Sequence, residues 1–528
     1  MSISPKTSKG VPGISGFFKQ FRLSFIPPIM VYLAAGISAL TGIVGTFFIK
    51  DYLDLSAAFL AGLGFWAGLP WAMKMPMGHL VDLIWRYKYI LVFVGAAFIT
   101  AGLFIIYGLI AHREYMESIM PAASWFVISV VISPVGYVLQ DVVADAMTVE
   151  AVPETAEDGG EIDEQTLKTM HTTMQTLGRF AVIGGTVIVA LVNVVAFDGV
   201  AELGDEEKAR IYANIYLMAL AIPLVSVAGV LLAEILKKTG HISPERESEP
   251  VSPNWWILGG SLGFMAFSIG VGLADISYSK ELVFAGSMGI LVFLMRKLLD
   301  EVPESSRKKL IGTSIVIFIF SAVPGVGPGD AWFQIDLLGF DEQFLSYLSI
   351  ITSVLTLAGI VFFLPFMSKS SIARIVVFLS VIWGVMSLPG IGLYYGVHEW
   401  TAAQTSGIVD ARFIAIVNTA LASPFGQVAL IPVLAWIARN APAHLKATFF
   451  AVFASFANLA LSANSLGTEY MNKIFVVTRE IRDKAGEVIT NADYSELGML
   501  LITVSVIGVA VPCAVVAVVQ RTRYRSLD

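Results

Sequence analysis

Long apolar runs separated by short charged turns set the rhythm of this chain. The first runs cover about Pro27 to Ile49, Ser56 to Leu83, Tyr89 to Ile110 and Ala122 to Thr148. Two more cover about Met170 to Val195 and Tyr212 to Ile235. After a polar stretch from Lys237 to Asn254 come Trp255 to Ala274 and Leu282 to Leu298, joined by a tight turn at Asp275 to Ser279. The rest are about Ile311 to Trp332, Phe344 to Met367, Ile372 to Gly392, Phe413 to Ala438, Ala447 to Tyr470 and Leu497 to Val519. Each is near the roughly 20 residues a helix needs to cross a bilayer. The runs do not alternate with period two, so they predict helices rather than strands of a membrane barrel. The pattern therefore predicts an all-α membrane protein of about fourteen transmembrane helices.

Composition sharpens this. Of 528 residues, 56% are hydrophobic and 14% charged, with a mean hydropathy of +0.76, whereas soluble domains carry about 25% charged residues. The net charge of −7 reflects acidic loops such as Glu154 to Glu164. Cys513 is the single cysteine, so no intrachain disulfide can form. The polar, basic segment Met1 to Arg22 precedes an apolar run too long for a signal-peptide core, so that run is expected to remain as a helix. No phosphate-binding glycine loop, HExxH zinc motif or catalytic Ser/Cys/His spacing occurs, and Gly325-Val-Gly327 is too short for a nucleotide fingerprint. An enzyme, a cofactor, a metal and nucleic-acid binding are not expected.

Lys and Arg cluster on the cytoplasmic side of membrane proteins. With the N-terminus inside, Arg86/Lys88, Lys237/Lys238, Arg296/Lys297, Arg307 to Lys309, Lys369/Arg374, Arg439/Lys446 and Arg521 to Arg525 all fall there. The loop holding Arg479, Arg482 and Lys484 is an exception. Both termini are expected in the cytoplasm, in a cell (inner or plasma) membrane.

A faint repeat relates the two ends of the chain. Gln140 … Val152-Pro153 followed by Leu167-Lys168-Thr169 parallels Gln427 … Ala441-Pro442 followed by Leu445-Lys446-Ala447. Paired halves of six helices with an inserted hairpin describe a major facilitator architecture. The predicted division is 1–240 for the N-terminal bundle, 241–306 for the linker and two-helix hairpin, and 307–528 for the C-terminal bundle.

Ionic residues inside these runs are the candidate chemistry, because an unpartnered charge in lipid is costly. Asp141 and Asp145 are one helical turn apart on one face. At about 1.5 Å per residue, Lys74, Asp141 and Arg179 each lie roughly 12–17 Å from the cytoplasmic end of their own helix. They are expected to converge on a central, net positive cavity for an anionic substrate; the competing reading is a structural ion pair between helices. Asp141 could also carry a coupling proton. Asp145, nearer the cytoplasm, is expected to latch the inner gate with Arg86 beside Asp82, against the alternative of a solvated helix end. The segment Ala322 to Asp330 is rich in proline and glycine and should break its helix, placing Asp330 beside a hinge or cavity. Gln140, Gln427 and Asn458 are mid-run amides able to bond a heteroaromatic ring or simply a neighbouring helix. Trp66, Trp71, Trp332 and Phe333 could stack such a ring or pack the interior.

At these residues the chain resembles the folate–biopterin transporter family of the major facilitator superfamily. The resemblance is carried by Gln140-Asp-Val-Val-Ala-Asp145-Ala-Met with Glu150, by Trp71-Ala-Met-Lys74-Met-Pro76-Met-Gly78 … Asp82, and by Leu177-Gly-Arg179. Ala331-Trp-Phe … Leu338-Gly-Phe340 and Pro442 … Ala447-Thr-Phe-Phe-Ala451 extend it into the second half. The first two segments are also similar to muropeptide permeases and acetyl-CoA transporters. The family's run of arginines after the second helix is reduced here to Arg86 and Lys88, and the acidic insertion and central hairpin are departures. The resemblance implies a monomeric secondary transporter that moves a folate- or pterin-like anion by alternating access, proton-coupled or by exchange, with Lys74, Asp141 and Arg179 at its site. Alternatives are a muropeptide or other metabolite permease, and a non-transporting receptor or assembly factor on the same scaffold.

Overall fold

The computed structural model describes residues 21–53, 55–72, 74–152, 164–241, 276–299, 304–428, 446–482 and 488–525, with isolated positions between 255 and 271. Most of the linker, most of the predicted Trp255 to Ala274 run and the later part of the Phe413 to Ala438 run lie outside these residues. A backbone in lipid must satisfy its own polar groups, and each described apolar run does so as a helix. The first half comprises α1 (Ile26–Ile37), α2 (Gly42–Tyr52), α3 (Ala57–Ala72), α4 (Lys74–Leu83), α5 (Tyr89–Ala111), α6 (Ala122–Ala151), α7 (Glu164–Ala196), α8 (Asp205–Met218) and α9 (Ala221–Lys238). The second hairpin helix is α10 (Ser279–Leu299). The second half comprises α11 (Glu304–Ser321), α12 (Gly329–Asp336), α13 (Glu342–Lys369), α14 (Ile372–Tyr394), α15 (Ala411–Ala422), α16 (Lys446–Ile474) and α17 (Leu497–Gln520). Among the described residues, eight helical spans are long and apolar enough to cross a membrane. The protein is an integral membrane protein.

Local sequence sets several starts. Asp341, Ser371 and Asp410 cap α13, α14 and α15 by accepting the amides of Phe344, Arg374 and Phe413. A short antiparallel ribbon, Ile481–Arg482 with Val488–Thr490, lies in the loop between α16 and α17.

Helix packing within the first half depends on glycine pairs. A Cβ on Gly95 would lie 2.6 Å from the Gly136 carbonyl, and one on Gly136 equally near that of Gly95, so α5 and α6 cross with backbones in contact. Gly36 and Gly185 play the same part for α1 and α7. The halves meet along α3 with α16 and α7 with α13. Gly62 faces Glu469, Gly64 faces Ser465 and Gly68 faces Ser462, so α3 and α16 run antiparallel. Chain direction through α17 therefore returns the C-terminus to the end of the bundle where α1 begins. This end is called terminal below, and the opposite one distal.

The proline- and glycine-rich segment does break its helix, between α11 and α12. Its freed backbone is satisfied by one face of α16: Asn464 bonds the Val323 carbonyl, Thr468 accepts the Gly325 amide at 2.8 Å, and Asn472 donates to the Val326 carbonyl at 3.0 Å. Polar residues spaced by four in an otherwise apolar helix carry this signature.

Candidate functional site

Asp141 and Asp145 share one face of α6, and the contacts across the bundle settle what that face meets. Lys74 Nζ at the start of α4 lies between them, 2.5 Å from Asp141 Oδ2 and 2.7 Å from Asp145 Oδ2. Tyr32 on α1 donates to Asp145 Oδ1 at 2.6 Å. The Gly36–Gly185 crossing brings α1 close enough to α7 for the Tyr32 ring to lie on Gly178, where a Cβ would come within 2.8 Å. The next residue, Arg179, acts electrostatically on both Asp141 and Tyr32. It makes no ion pair or hydrogen bond among the described residues.

Lys74 and Asp141 retain 20% and 21% of their side-chain exposure and Asp145 retains 45%, so the cluster is only partly buried. Asp145 lies six residues from the terminal end of α6, about 9 Å along the axis.

Of Lys74, Asp141 and Arg179, the structure brings the first two into contact, while Arg179 is exposed and reaches Asp141 only electrostatically. Asp145 belongs to the same cluster and does not pair with Arg86, which is exposed with its guanidinium 5.9 Å from the Tyr87 ring. Lys74 outcompetes Arg86 for Asp145 because the i, i+4 carboxylates present a joint pocket for a single ammonium. Two cations now face two carboxylates, so the site is formally neutral rather than net positive. The Asp82 side chain lies outside the described residues.

Two of the three amides tie helices together. Gln140, 4% exposed, donates to the Val92 carbonyl and locks α6 to α5. Asn458 donates to the Trp71 carbonyl at 2.9 Å, tying α16 to the helix end just before Lys74. Asp330 accepts from Gln334 one turn later in α12. Gln427 is half-buried and makes no hydrogen bond among the described residues. Trp332 and Phe333 pack in a cluster with Tyr394 and Tyr494.

Sequence reasoning missed Tyr32, although a mid-helix tyrosine one turn before a glycine is a recognisable cue. It also missed a second ionic cluster at the terminal end. Lys88, fully buried, lies 2.5 Å from Glu150, over the Trp85 ring and against Tyr89, while Lys237 approaches the same carboxylate at 3.6 Å. At the distal end, Lys50 pairs with Asp336 at 2.6 Å, Tyr212 bonds Glu342, and Gln343 bonds Asp198 at 2.9 Å. Tyr494 also donates to Asp336, and burial together with that carboxylate pushes its phenol well above the ordinary range. These bonds join the halves at the distal end, where Lys50, Asp336 and Tyr494 also line a pocket of about 790 Å³.

A model of the BT1 family matches residues 35–526. The chain belongs to the BT1 family. Over 154 residues it is 27% identical to a folate-biopterin transporter of Synechocystis sp. (strain ATCC 27184 / PCC 6803 / Kazusa), a match covering 29% of this chain and 30% of that relative. Among solved structures it is similar to a POT family transporter in complex with 5-aminolevulinic acid, with a TM-score of 0.65 at 14% identity over 96% of this chain and 97% of the other. The nucleoside transporter NupG gives a TM-score of 0.56 at 11% identity over 95% of this chain and 100% of the other. At such identities these likenesses establish the fold, which is that of major facilitator-type transporters.

Proposed function

We propose that this BT1-family protein is a secondary transporter that moves a small folate- or pterin-like organic anion by alternating access, coupled to protons or to exchange. The observation that carries the reading is the Lys74 ammonium shared by Asp141 and Asp145 beside Arg179. With both carboxylates ionised the site is neutral and Lys74 is occupied. Protonating one carboxylate weakens its hold on Lys74 and leaves one net positive charge, which matches an arriving carboxylate. Arg179 then offers a planar fork for bidentate binding, and Lys74 a second, more mobile cation. The folate–biopterin assignment is supported by the named relative and by the motifs around these residues. The basic residues at the terminal end, including Lys88, Lys237 and Arg521 to Arg525, favour a cell membrane with that end in the cytoplasm.

The test is uptake of radiolabelled folate, biopterin and a muropeptide into proteoliposomes, with and without an inward proton gradient. Folate or biopterin should accumulate, faster with the gradient. Lys74→Ala and Arg179→Ala should abolish uptake, and Asp141→Asn should remove the response to the gradient. Unchanged uptake by all three variants, or accumulation of the muropeptide alone, refutes the reading.

A further inference from the structure

The second hairpin helix does not sit passively at the edge of the bundle. It lies along the seam where α3 of the first half meets α16 of the second. Val283 of α10 packs with Phe65, Leu69 and Leu466, and further along Leu291 packs with Ala72 and Leu459. Both buried clusters draw residues from α3, α10 and α16, so one helix is glued to both halves. At the distal end of the seam, Lys280 Nζ lies 2.5 Å from Glu469 Oε2, and Tyr470 donates to Glu281. Glu469 is 4% exposed. What buries this pair on the α3 side is Gly62, where a Cβ would collide with both the Glu469 carboxylate and the Lys280 ammonium.

The geometry points to a device: we propose that the Lys280–Glu469 pair, seated against Gly62, is a clasp by which the hairpin holds the distal end closed. The physical reason is the position of Gly62. An ion pair gains strength when water is excluded from it. Lys280 keeps 24% of its exposure and Lys473 lies 2.8 Å from the other Glu469 oxygen, but the wall that shields the Glu469 carboxylate is the backbone of the opposite half. Distal opening must draw α3 away from α16 and flood that wall. The pair is therefore stronger in the closed state than in the open one, and only such a differential interaction shifts a conformational equilibrium. The hairpin is a strap rather than a spacer. The inference rests on the alternating-access reading but makes no use of any substrate.

The experiment follows distal opening without transport. In a Cys513→Ala background, Ser465→Cys places a thiol on α16 opposite Gly64, within the seam. Its rate of labelling by a bulky, water-soluble maleimide, measured on purified protein in detergent, reports how often the seam parts. Lys280→Ala, Glu469→Gln and Gly62→Leu should each accelerate labelling by about tenfold, equivalent to about 1.4 kcal/mol. The charge-swapped variant Lys280→Glu/Glu469→Lys, made together with Lys473→Glu so that both cations facing position 469 are reversed, should return it towards the parental rate. A second reporter, Met295→Cys, lies where α10 is buried against α11 and α16 of the second half, away from α3, and should be unaffected. Unchanged labelling at position 465 overturns the clasp. So does equal acceleration at position 295, which would mean that the hairpin has simply peeled away. Either result leaves the transport reading standing if uptake is retained, whereas absent uptake with accelerated labelling would reject the substrate and keep the clasp.

Discussion

Replacing Lys74 by methionine keeps the volume of its stem and removes the charge that two carboxylates share. Deleting one partner of a buried ion pair costs about 3–5 kcal/mol, because the remaining charge is left in poor solvent. The structure scales that figure down for one carboxylate more than the other. Asp145 is 45% exposed and keeps the Tyr32 hydroxyl, so water and Tyr32 replace much of what Lys74 gave. Asp141, at 21%, has only the more distant Arg179 to turn to. The expected loss is therefore about 2–3 kcal/mol near neutral pH. It should be smaller at lower pH, since a carboxyl group that has lost its cation takes up a proton rather than remain charged. Unfolding in mixed micelles at about pH 7.5 and about pH 5, for Lys74→Met, Asp141→Asn and the double variant, measures both quantities. The two substitutions should couple by about 2 kcal/mol near neutral pH, well above the roughly 0.3–0.5 kcal/mol expected of independent sites. Equal destabilisation at both pH values, or additive single effects, would refute the shared-ammonium picture.

Other consequences are as direct. Lys88→Ala should destabilise the protein by about 2 kcal/mol by leaving the partly buried Glu150 with only the more distant Lys237 and the Tyr89 hydroxyl, and Lys88→Met/Glu150→Leu should recover much of the loss in the same unfolding assay. Asn472→Ala removes the partner of the Val326 carbonyl and should cost about 1 kcal/mol, a value set by interhelical bonds within membranes. Gly185→Leu should force α1 from α7, and a cross-link between cysteines at positions 32 and 178, readily formed in the parent, should fail. Lys50→Asp should increase distal opening, and Lys50→Asp/Asp336→Lys should reverse it, as read by maleimide labelling at Ser465→Cys.

Part of the site is legible in the residues alone. Lys74, Asp141 and Arg179 stand out because apolar runs leave a charge nowhere to hide, and equal depth along their helices suggests one meeting place. Asp145 takes a different partner from the one its depth suggests, and for a definite reason. Spacing of four fixes that it shares a face with Asp141 on α6, but not how that face is rotated towards α1, α4 or the turn at Arg86. Gln140 and Asn458 invite a ligand role because an amide in lipid needs a partner, yet the Val92 and Trp71 carbonyls supply one, and no periodicity could have named them.

The helical runs, the break between α11 and α12 and the set of charges that must be buried can all be read along the linear chain, because each follows from the cost of placing polar groups in lipid. Which residue meets which is a matter of packing in three dimensions. Glycine pairs such as Gly36–Gly185 and Gly95–Gly136 set how closely helices approach, and the first of these approaches lays Tyr32, the partner of Asp145, against Gly178. Close packing is a property of two surfaces at once, and neither surface alone carries the instruction.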